Sequence, residues 1–551
     1  MNDFDAVVIG SGAGGGIVAK ELATAGLHVL LLERGRTVSP AECRKDDLRN
    51  QRTSFLGAPF GPDEEKNPRV AVTQQGEPYV VTVRGGAYSN NAACVGGGTQ
   101  SYGAMAWRFL PQDFRMRETY GVPDGSTLDN WPISYDDLEP FYQKAEEEIG
   151  VSGDMTDNPF HGPRSKPLPM PPLPPTREHL LLEAAGQRMG LHPFPIPMLR
   201  NSVPYAGRPP CMRCRWCVGF ACEVNAKNGT QNTVIPMAVA SGNCQLETGA
   251  HAAEITADGS GRPNGVIYFN AQNRRTKVKA SLIVISGGAI ESARLLLNSR
   301  SILFPEGIGN RYGWVGRNLQ GHCYSGATGI FDFDTYDDLG PGASVAFSDY
   351  NHGNPGLVGG AVLCNEFIRL PVQAFNNLPP GVRTWGKAHK DFMRQYFRRT
   401  VRIQGPTQEI PVYDARVELD PVVKDYWGLA VPRISGSKHP HTLEVAAEMA
   451  NKAEAILKEA GATNTWKNVP TGLGVSGGQH QAGTCRMGSD ASTSVVNRYC
   501  QIHGAENVFV VDGSVHVTNG GFNPVLTIMA VAYSASDYMK REWKGTRFRS
   551  A

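Results

Sequence analysis

Four cysteines, Cys211, Cys214, Cys217 and Cys222, stand in the stretch CMRCRWCVGFACEVNAK, separated by two, two and four residues. Thiolates are soft ligands and redox groups, so such a run can bind metal, close a disulfide or stay as thiols. Structural zinc sites usually join two cysteine pairs across a longer loop, whereas compact runs with two-residue gaps are the style of iron–sulfur ligation. Spacing therefore ranks iron–sulfur ahead of zinc. A second chemistry-bearing stretch is GSGAGG, which places Gly10, Gly12 and Gly15 in a glycine fingerprint, with Glu33 closing the following run HVLLLE. A Cβ in that loop would hold a pyrophosphate away from the amides of a helix N-terminus, and an acid at the next strand end can accept from a ribose hydroxyl. These residues point to a dinucleotide and leave FAD and NAD both open.

The elements that must position these groups read as strand, glycine loop, helix, strand over DAVVIG, SGAGGG, IVAKELATAG and HVLLLE, the opening of a doubly wound sheet. The proline-dense run NPFHGPRSKPLPMPPLPPT, Asn158 to Thr176, reads as an extended connector. Beyond the cysteines, ASLIVISGG and AIESARLLLNS again predict a strand feeding a helix through glycines. From about Gly316 to Asn468, short alternations such as HCYSGATGIFDF and the helical stretch HTLEVAAEMANKAEAILKEAG predict an antiparallel sheet with helices. The chain closes on NVFVVDGS, a strand, then a helix with Asn523 expected at the N-cap and Pro524 at the first helical position. The expected fold class is α/β: a discontinuous Rossmann-like domain of residues 1–157, 223–315 and 469–551, a connector with the cysteines at 158–222, and a second α+β substrate-binding domain at 316–468.

With 54 Lys and Arg against 52 Asp and Glu, the formal charge of +2 is too balanced for nucleic acid or an anionic membrane as main partner. No apolar run has the length of a membrane span, and the first residues lack a secretory pattern. The default expectation is a cytoplasmic protein, the alternative being periplasmic export alongside a signal-bearing partner. Eleven cysteines, an odd number, argue against a disulfide framework. The basic stretch KAHKDFMRQYFRRTVR reads as a solvated helix face.

VGGGTQSYGAMAWRFLPQDF, ISGGAIESARLLLNS, HQAGTCRMG and VVDGSVHVTNGGFNPVLTI, in this order along nearly the whole chain, resemble the signatures of the glucose-methanol-choline (GMC) oxidoreductases. WRFLPQDF and DNWPISYDDLEPFYQKAEEEIGVSG are most similar to catalytic subunits of bacterial sugar dehydrogenases. The resemblance implies FAD as cofactor, held by Gly10, Gly12, Gly15, Glu33, Gly97, Ser101, Asp512, Gly513, Asn523 and Pro524. It also implies a sugar hydroxyl as hydride donor. Its active-site histidine falls on His480, and the second member of its His/Asn pair on Asn523. Removing a hydroxyl proton as hydride leaves carbon needs a base near neutral pH, a task suited to histidine. Asn523 can hold the same hydroxyl without competing for its proton. His322 and His516 are placed as supporting residues. Where many members carry a covalently linked histidine, this chain has TQSYG with Ser101, so dissociable FAD is expected.

The similar sugar dehydrogenases carry a three-iron cluster on three cysteines, for which Cys211, Cys217 and Cys222 match best, with Cys214 extra. Such a cluster would send electrons to a cytochrome c, with a small signal-bearing subunit as further partner. The four-residue gap after Cys217 and Glu223 in place of a proline depart from that pattern, and thiols or a loop-closing disulfide are the alternative. The expected reaction is oxidation of a sugar or glycoside hydroxyl to a keto group, leaning to carbon 3 of a pyranoside. The rivals are an oxygen-using sugar oxidase, oxidation at the anomeric carbon, and a hydroxynitrile lyase with structural FAD.

Overall fold

The computed structural model describes residues 3–43, 45, 60–83, 85–89, 92–156, 158–368, 370–375, 377–476, 478, 480–544, 547 and 548. The strand Phe4–Ile9 lies at the centre of an eight-stranded sheet. Val29–Glu33 and then Cys244–Thr248 continue it in parallel on one side, and Arg275–Ile285 and Ala505–Val510 on the other. Register is tight at the centre, where Ala6 to Ile9 face Val29 to Leu32 on one flank and Leu282 to Ile285 on the other. The reason for the unbroken apolar runs is burial on both faces: every residue of Val29–Glu33 is buried. An antiparallel ribbon, His251–Ala257 and Pro263–Phe269, hangs from the edge of Arg275–Ile285.

The second sheet has six strands in the order Asn464–Asn468, Cys323–Ile330, Thr400–Thr407, Leu363–Asn365, Val345–Phe347 and Pro193–Pro195, each pairing antiparallel. The helix His441–Glu459 packs across it through Val445, Met449, Ala453 and Ile456, spaced three or four apart as a single buried stripe requires.

Two stretches lie differently from the linear reading. The residues from 158 to 222 expected as a connector carry the helix Arg177–Arg188 and the strand Pro193–Pro195, both part of the second sheet's layer. The proline run ends at Pro175, and Thr176 then starts the helix by accepting from the His179 amide at 3.2 Å. Within 316–468, the hairpin Arg416–Lys424 and Ala430–Ser435 pairs in parallel with Arg69–Val72 from the first part of the chain. Pairings between strands hundreds of residues apart leave no local signature in composition.

Candidate active site

The glycine loop after Phe4–Ile9 opens a cavity of about 300 Å³ whose wall includes Gly10, Gly12, Glu33, Gly97, Asp512 and Gly513. Each glycine has its own reason. Gly10 holds a φ of +98°, and a Cβ there would sit 2.2 Å from the Ser286 carbonyl oxygen. At Gly15, the first residue of the helix Gly15–Thr24, a Cβ would meet the Gly10 carbonyl oxygen at 1.9 Å. Gly12 is different, because a Cβ there would meet no protein atom within 4 Å. Its face is open to the cavity, as a pyrophosphate cradle requires.

Glu33 accepts from the Ser11 hydroxyl (2.6 Å) and amide (3.1 Å) with one oxygen and from the Gly35 amide (2.8 Å) with the other. It braces the loop, and its remaining lone pairs are available to a ribose hydroxyl. Asp512 ties two loops: one oxygen accepts from Ser514, the other from the Gly288 amide (2.9 Å) and the Ser292 hydroxyl (2.6 Å).

A second cavity of about 270 Å³ adjoins the first, and Ala13, Ala92, Gly98, Gln481 and Ile528 line both. Ser101, His480, Asn523 and Pro524 stand in its wall. Two loops bring His480 here. Gln320 and Ala482 exchange backbone hydrogen bonds at 2.9 and 3.0 Å, which sets His322 beside His480. The Asn519 amide donates to the His480 carbonyl at 2.6 Å, and His516 Nδ1 lies 3.1 Å from Asn519 Oδ1. His480 itself has a φ of +59°, a conformation side chains rarely adopt and one that clusters at functional sites.

The hydrogen bonds around His480 have only one consistent direction. Burial holds the His322 imidazole down at about 4, so it is neutral near pH 7. Its Nε2 faces the Gly520 carbonyl oxygen at 2.8 Å and must donate, which makes Nδ1 an acceptor. Nδ1 lies 2.8 Å from His480 Nδ1, so His480 donates from Nδ1 and keeps a lone pair on Nε2. The other end agrees. The Trp107 indole, a donor only, bonds Asn523 Oδ1 at 2.9 Å and turns the Asn523 Nδ2 towards His480 Nε2 (3.3 Å) and the Tyr324 hydroxyl (3.2 Å). The unprotonated nitrogen is therefore the one that faces the second cavity.

Asn523 is not the helix cap that the sequence led us to expect. The helix runs Val525–Glu542 with Pro524 in the cap position and no side-chain cap. The Asn523 amide is held by Trp107, and Pro524 has no side-chain acceptor, so the first amides of this helix open to the cavity lined by Pro524, Val525 and Ile528. Such an end favours negative charge.

Family models described as GMC oxidoreductase match residues 179–324 and 411–532. The chain is 32% identical over 540 residues to paromamine 6'-oxidase of Streptomyces fradiae, covering 96% of this chain and 90% of that one. This chain is a GMC oxidoreductase. It is 27% identical to the gluconate 2-dehydrogenase flavoprotein of Pantoea cypripedii, over 98% of this chain and 94% of the other. The crystal structure of pyridoxine 4-oxidase from Mesorbium loti superposes with a TM-score of 0.63 at 15% identity, covering 98% and 100% of the two chains, and shows the shared fold. GMC oxidoreductases bind FAD, and this one is an FAD-dependent oxidoreductase acting on CH–OH groups. The two joined cavities, the open face at Gly12 and the two helix N-termini fit an extended dinucleotide, and the second cavity carries the His480 end.

The cysteines of this GMC oxidoreductase lie beside that end without entering it. All four line a separate cavity of about 20 Å³, shared with Arg200 and Lys227. The neighbouring Cys214 thiol draws the Cys217 thiol below its usual value against the effect of burial, with Arg200 and Lys227 adding to the pull. The implied iron–sulfur ligand set of Cys211, Cys217 and Cys222 is not formed. Among the described residues no three Cys, His, Asp or Glu side chains are grouped to hold a metal ion. The space between them has the volume of about one water molecule.

Sequence reasoning singled out His480 and Asn523 but missed Trp107 and Tyr324. The signal for Tyr324 was period two: His322, just before the strand Cys323–Ile330, and Tyr324 within it are two residues apart and share a face. Trp107 carries no such local mark, since its partner is 416 residues away.

Proposed function

We propose that this enzyme oxidises a ring hydroxyl of a neutral sugar or glycoside to a keto group, with carbon 3 of a pyranoside as the expected position. One observation carries the reading: the directed hydrogen bonds from Gly520 through His322, His480 and Asn523 to Trp107, which set the acceptor nitrogen His480 Nε2 and the donor Asn523 Nδ2 side by side at 3.3 Å in the cavity wall, where a substrate hydroxyl would enter between them. That nitrogen takes the hydroxyl proton, and His322 stabilises the resulting charge by accepting from Nδ1. Asn523 Nδ2 donates to the substrate oxygen and keeps the carbon's hydrogen aimed away from the base. FAD, held noncovalently where Ser101 replaces a linking histidine, supplies the hydride acceptor. The uncapped N-terminus of Val525–Glu542 favours the negative charge that hydride transfer brings to that end of the site.

The lining of this cavity supports a neutral substrate. Tyr102, Tyr324 and Phe367 offer flat faces to a sugar ring, and among the described lining residues there is no Asp, Glu, Lys or Arg. A cationic amino sugar would call for carboxylates. For the electron outlet we favour dioxygen over a cytochrome docked through a small subunit, because two relatives at 32% identity are named as oxidases, whereas the gluconate and fructose dehydrogenase relatives stand at 27%. The test is anaerobic bleaching of the bound flavin by a panel of neutral pyranosides, with the product identified by NMR. Bleaching with a 3-keto product supports the reading in full. Bleaching by amino sugars or simple alcohols alone overturns the substrate class, and bound FAD that no alcohol bleaches returns the lyase reading.

A further inference from the structure

The cysteine cavity holds an unbalanced charge. Arg200 is 1% exposed, and its Nε and Nη1 have no hydrogen-bond partner; only Nη2 donates, to the Gly103 carbonyl at 3.1 Å. Lys227, 2% exposed, uses its ammonium on the carbonyls of Tyr102, Cys217 and Phe220 at 3.2, 2.7 and 2.7 Å. Among the described lining residues the one carboxylate is Glu223, which is engaged at 2.8 Å with a third cation of the cavity, Lys45. A buried guanidinium with free N–H groups requires an anion, and the groups it shares the cavity with are sulfurs.

Of the four cysteines, Cys214 and Cys217 are the pair tied to each other: they form a Cys-x-x-Cys turn in which the Cys217 sulfur lies 4.0 Å from the Cys214 carbonyl oxygen. Arg213 just before them holds a φ of +57°, and its carbonyl accepts from the Gly340 amide at 2.7 Å. A Cβ on Gly340 would lie 1.8 Å from the Cys214 carbonyl oxygen, so the second sheet's domain presses directly on this turn. Cys217 is buried, whereas Cys214 is half-buried.

We propose that Cys214 and Cys217 form a reversible dithiol–disulfide pair whose reduced form is held by Arg200. In the oxidising direction, a small external disulfide is cleaved by one cysteine thiolate, giving a mixed disulfide and one free thiol. The second cysteine then displaces the remaining thiol, so two protein thiols lose two electrons and two protons and the S–S bond forms. In reverse, an external thiolate attacks Cys214 and Cys217 leaves as a thiolate facing Arg200. The cations favour that leaving group, which makes the disulfide readily reduced. The pair borders the substrate cavity: Val218, next to Cys217, lines it, and Lys227 bridges the Cys217 and Tyr102 carbonyls.

The test uses the full chain with FAD, purified anaerobically, assayed for iron and acid-labile sulfide, and equilibrated across ratios of oxidised to reduced dithiothreitol. After acid quenching and alkylation, peptide mapping locates each modified cysteine. The expected result is negligible iron, with a Cys214–Cys217 disulfide that forms and breaks reversibly while Cys211 and Cys222 alkylate throughout. Arg200→Met moves the midpoint towards the disulfide on the order of tenfold in that ratio, and Arg200→Lys restores most of it. Because Arg200→Met removes a buried group and can fail to fold, Cys214→Ser serves as a second variant: it abolishes the transition and leaves anaerobic flavin bleaching at the wild-type rate. Stoichiometric iron and sulfide, full alkylation of both cysteines at every ratio, or pairing with Cys211 or Cys222 overturns the proposal.

Discussion

The two polar centres of this molecule settle their protons in different ways. Around His480 the partners come from distant stretches, Trp107, His322, Gly520 and Asn523, and the ends of the chain are groups with one role each: an indole that only donates and a carbonyl that only accepts. Everything between them is thereby oriented. In the cysteine cavity the four sulfurs, Arg200 and Lys227 come from residues 200 to 227, with Lys45 a third cation from elsewhere, yet Arg200 is left with nitrogens that no neutral acceptor satisfies. Its sulfurs are lightly held, Cys211 accepting from the Arg213 amide at 3.3 Å and Cys217 lying 4.0 Å from the Cys214 carbonyl oxygen. A site assembled from afar can be chemically fixed, and one written in a single short motif can remain a variable.

That contrast predicts how each centre responds to damage. At the fixed centre, His480→Ala removes the base and lowers kcat about 10²- to 10⁴-fold with FAD still bound, as steady-state kinetics and the flavin spectrum will show. The next largest effect is on acid stability. Burial holds the imidazoles of His322 and His516 at about 4 in the folded protein, below their ordinary value of 6.5. The unfolded chain therefore takes up protons first: stability is complete above about pH 6.5 and is lost as pH falls towards 4, on the order of 3 kcal/mol for each histidine. Urea unfolding of wild type and of His516→Phe across that range measures it, and the variant should show the shallower loss.

Asn523→Ala leaves His480 in place but drops the donor to the substrate oxygen, so kcat/KM falls about 10- to 100-fold. Gly12→Ala meets no protein atom and should leave the melting temperature unchanged while weakening FAD binding about tenfold or more in a flavin-release titration. Gly15→Ala, which drives a Cβ into the Gly10 carbonyl, destabilises the protein itself by about 1–3 kcal/mol. If the two substitutions behave alike, the open face at Gly12 is not a cradle.

Legibility followed the same divide. The central sheet was readable because doubly buried strands write continuous apolar runs, as in AVVI and LIVI, and because glycines with specific steric duties punctuate them. The helix His441–Glu459 announced itself by its apolar stripe. The strand Pro193–Pro195 did not, since three residues with two prolines at a sheet edge carry no period. Asn523 was expected as a cap because Asn before Pro suits that position. The donor-only Trp107 claims its oxygen instead, and no local rule foretells a partner so far along the chain. The cysteine spacing suggested ligation, but spacing fixes only which sulfurs can approach one another. The buried Arg200 decides what charge they carry, and nothing in its local sequence marks it as their neighbour.

The account rests most directly on His480 Nε2 as the proton acceptor for a CH–OH group. Single-turnover bleaching of the flavin by a saturating neutral glycoside, without oxygen, should therefore be compared between wild type and His480→Gln. Bleaching slowed at least about 10²-fold with substrate still binding is the predicted result; bleaching within about twofold of wild type would contradict it.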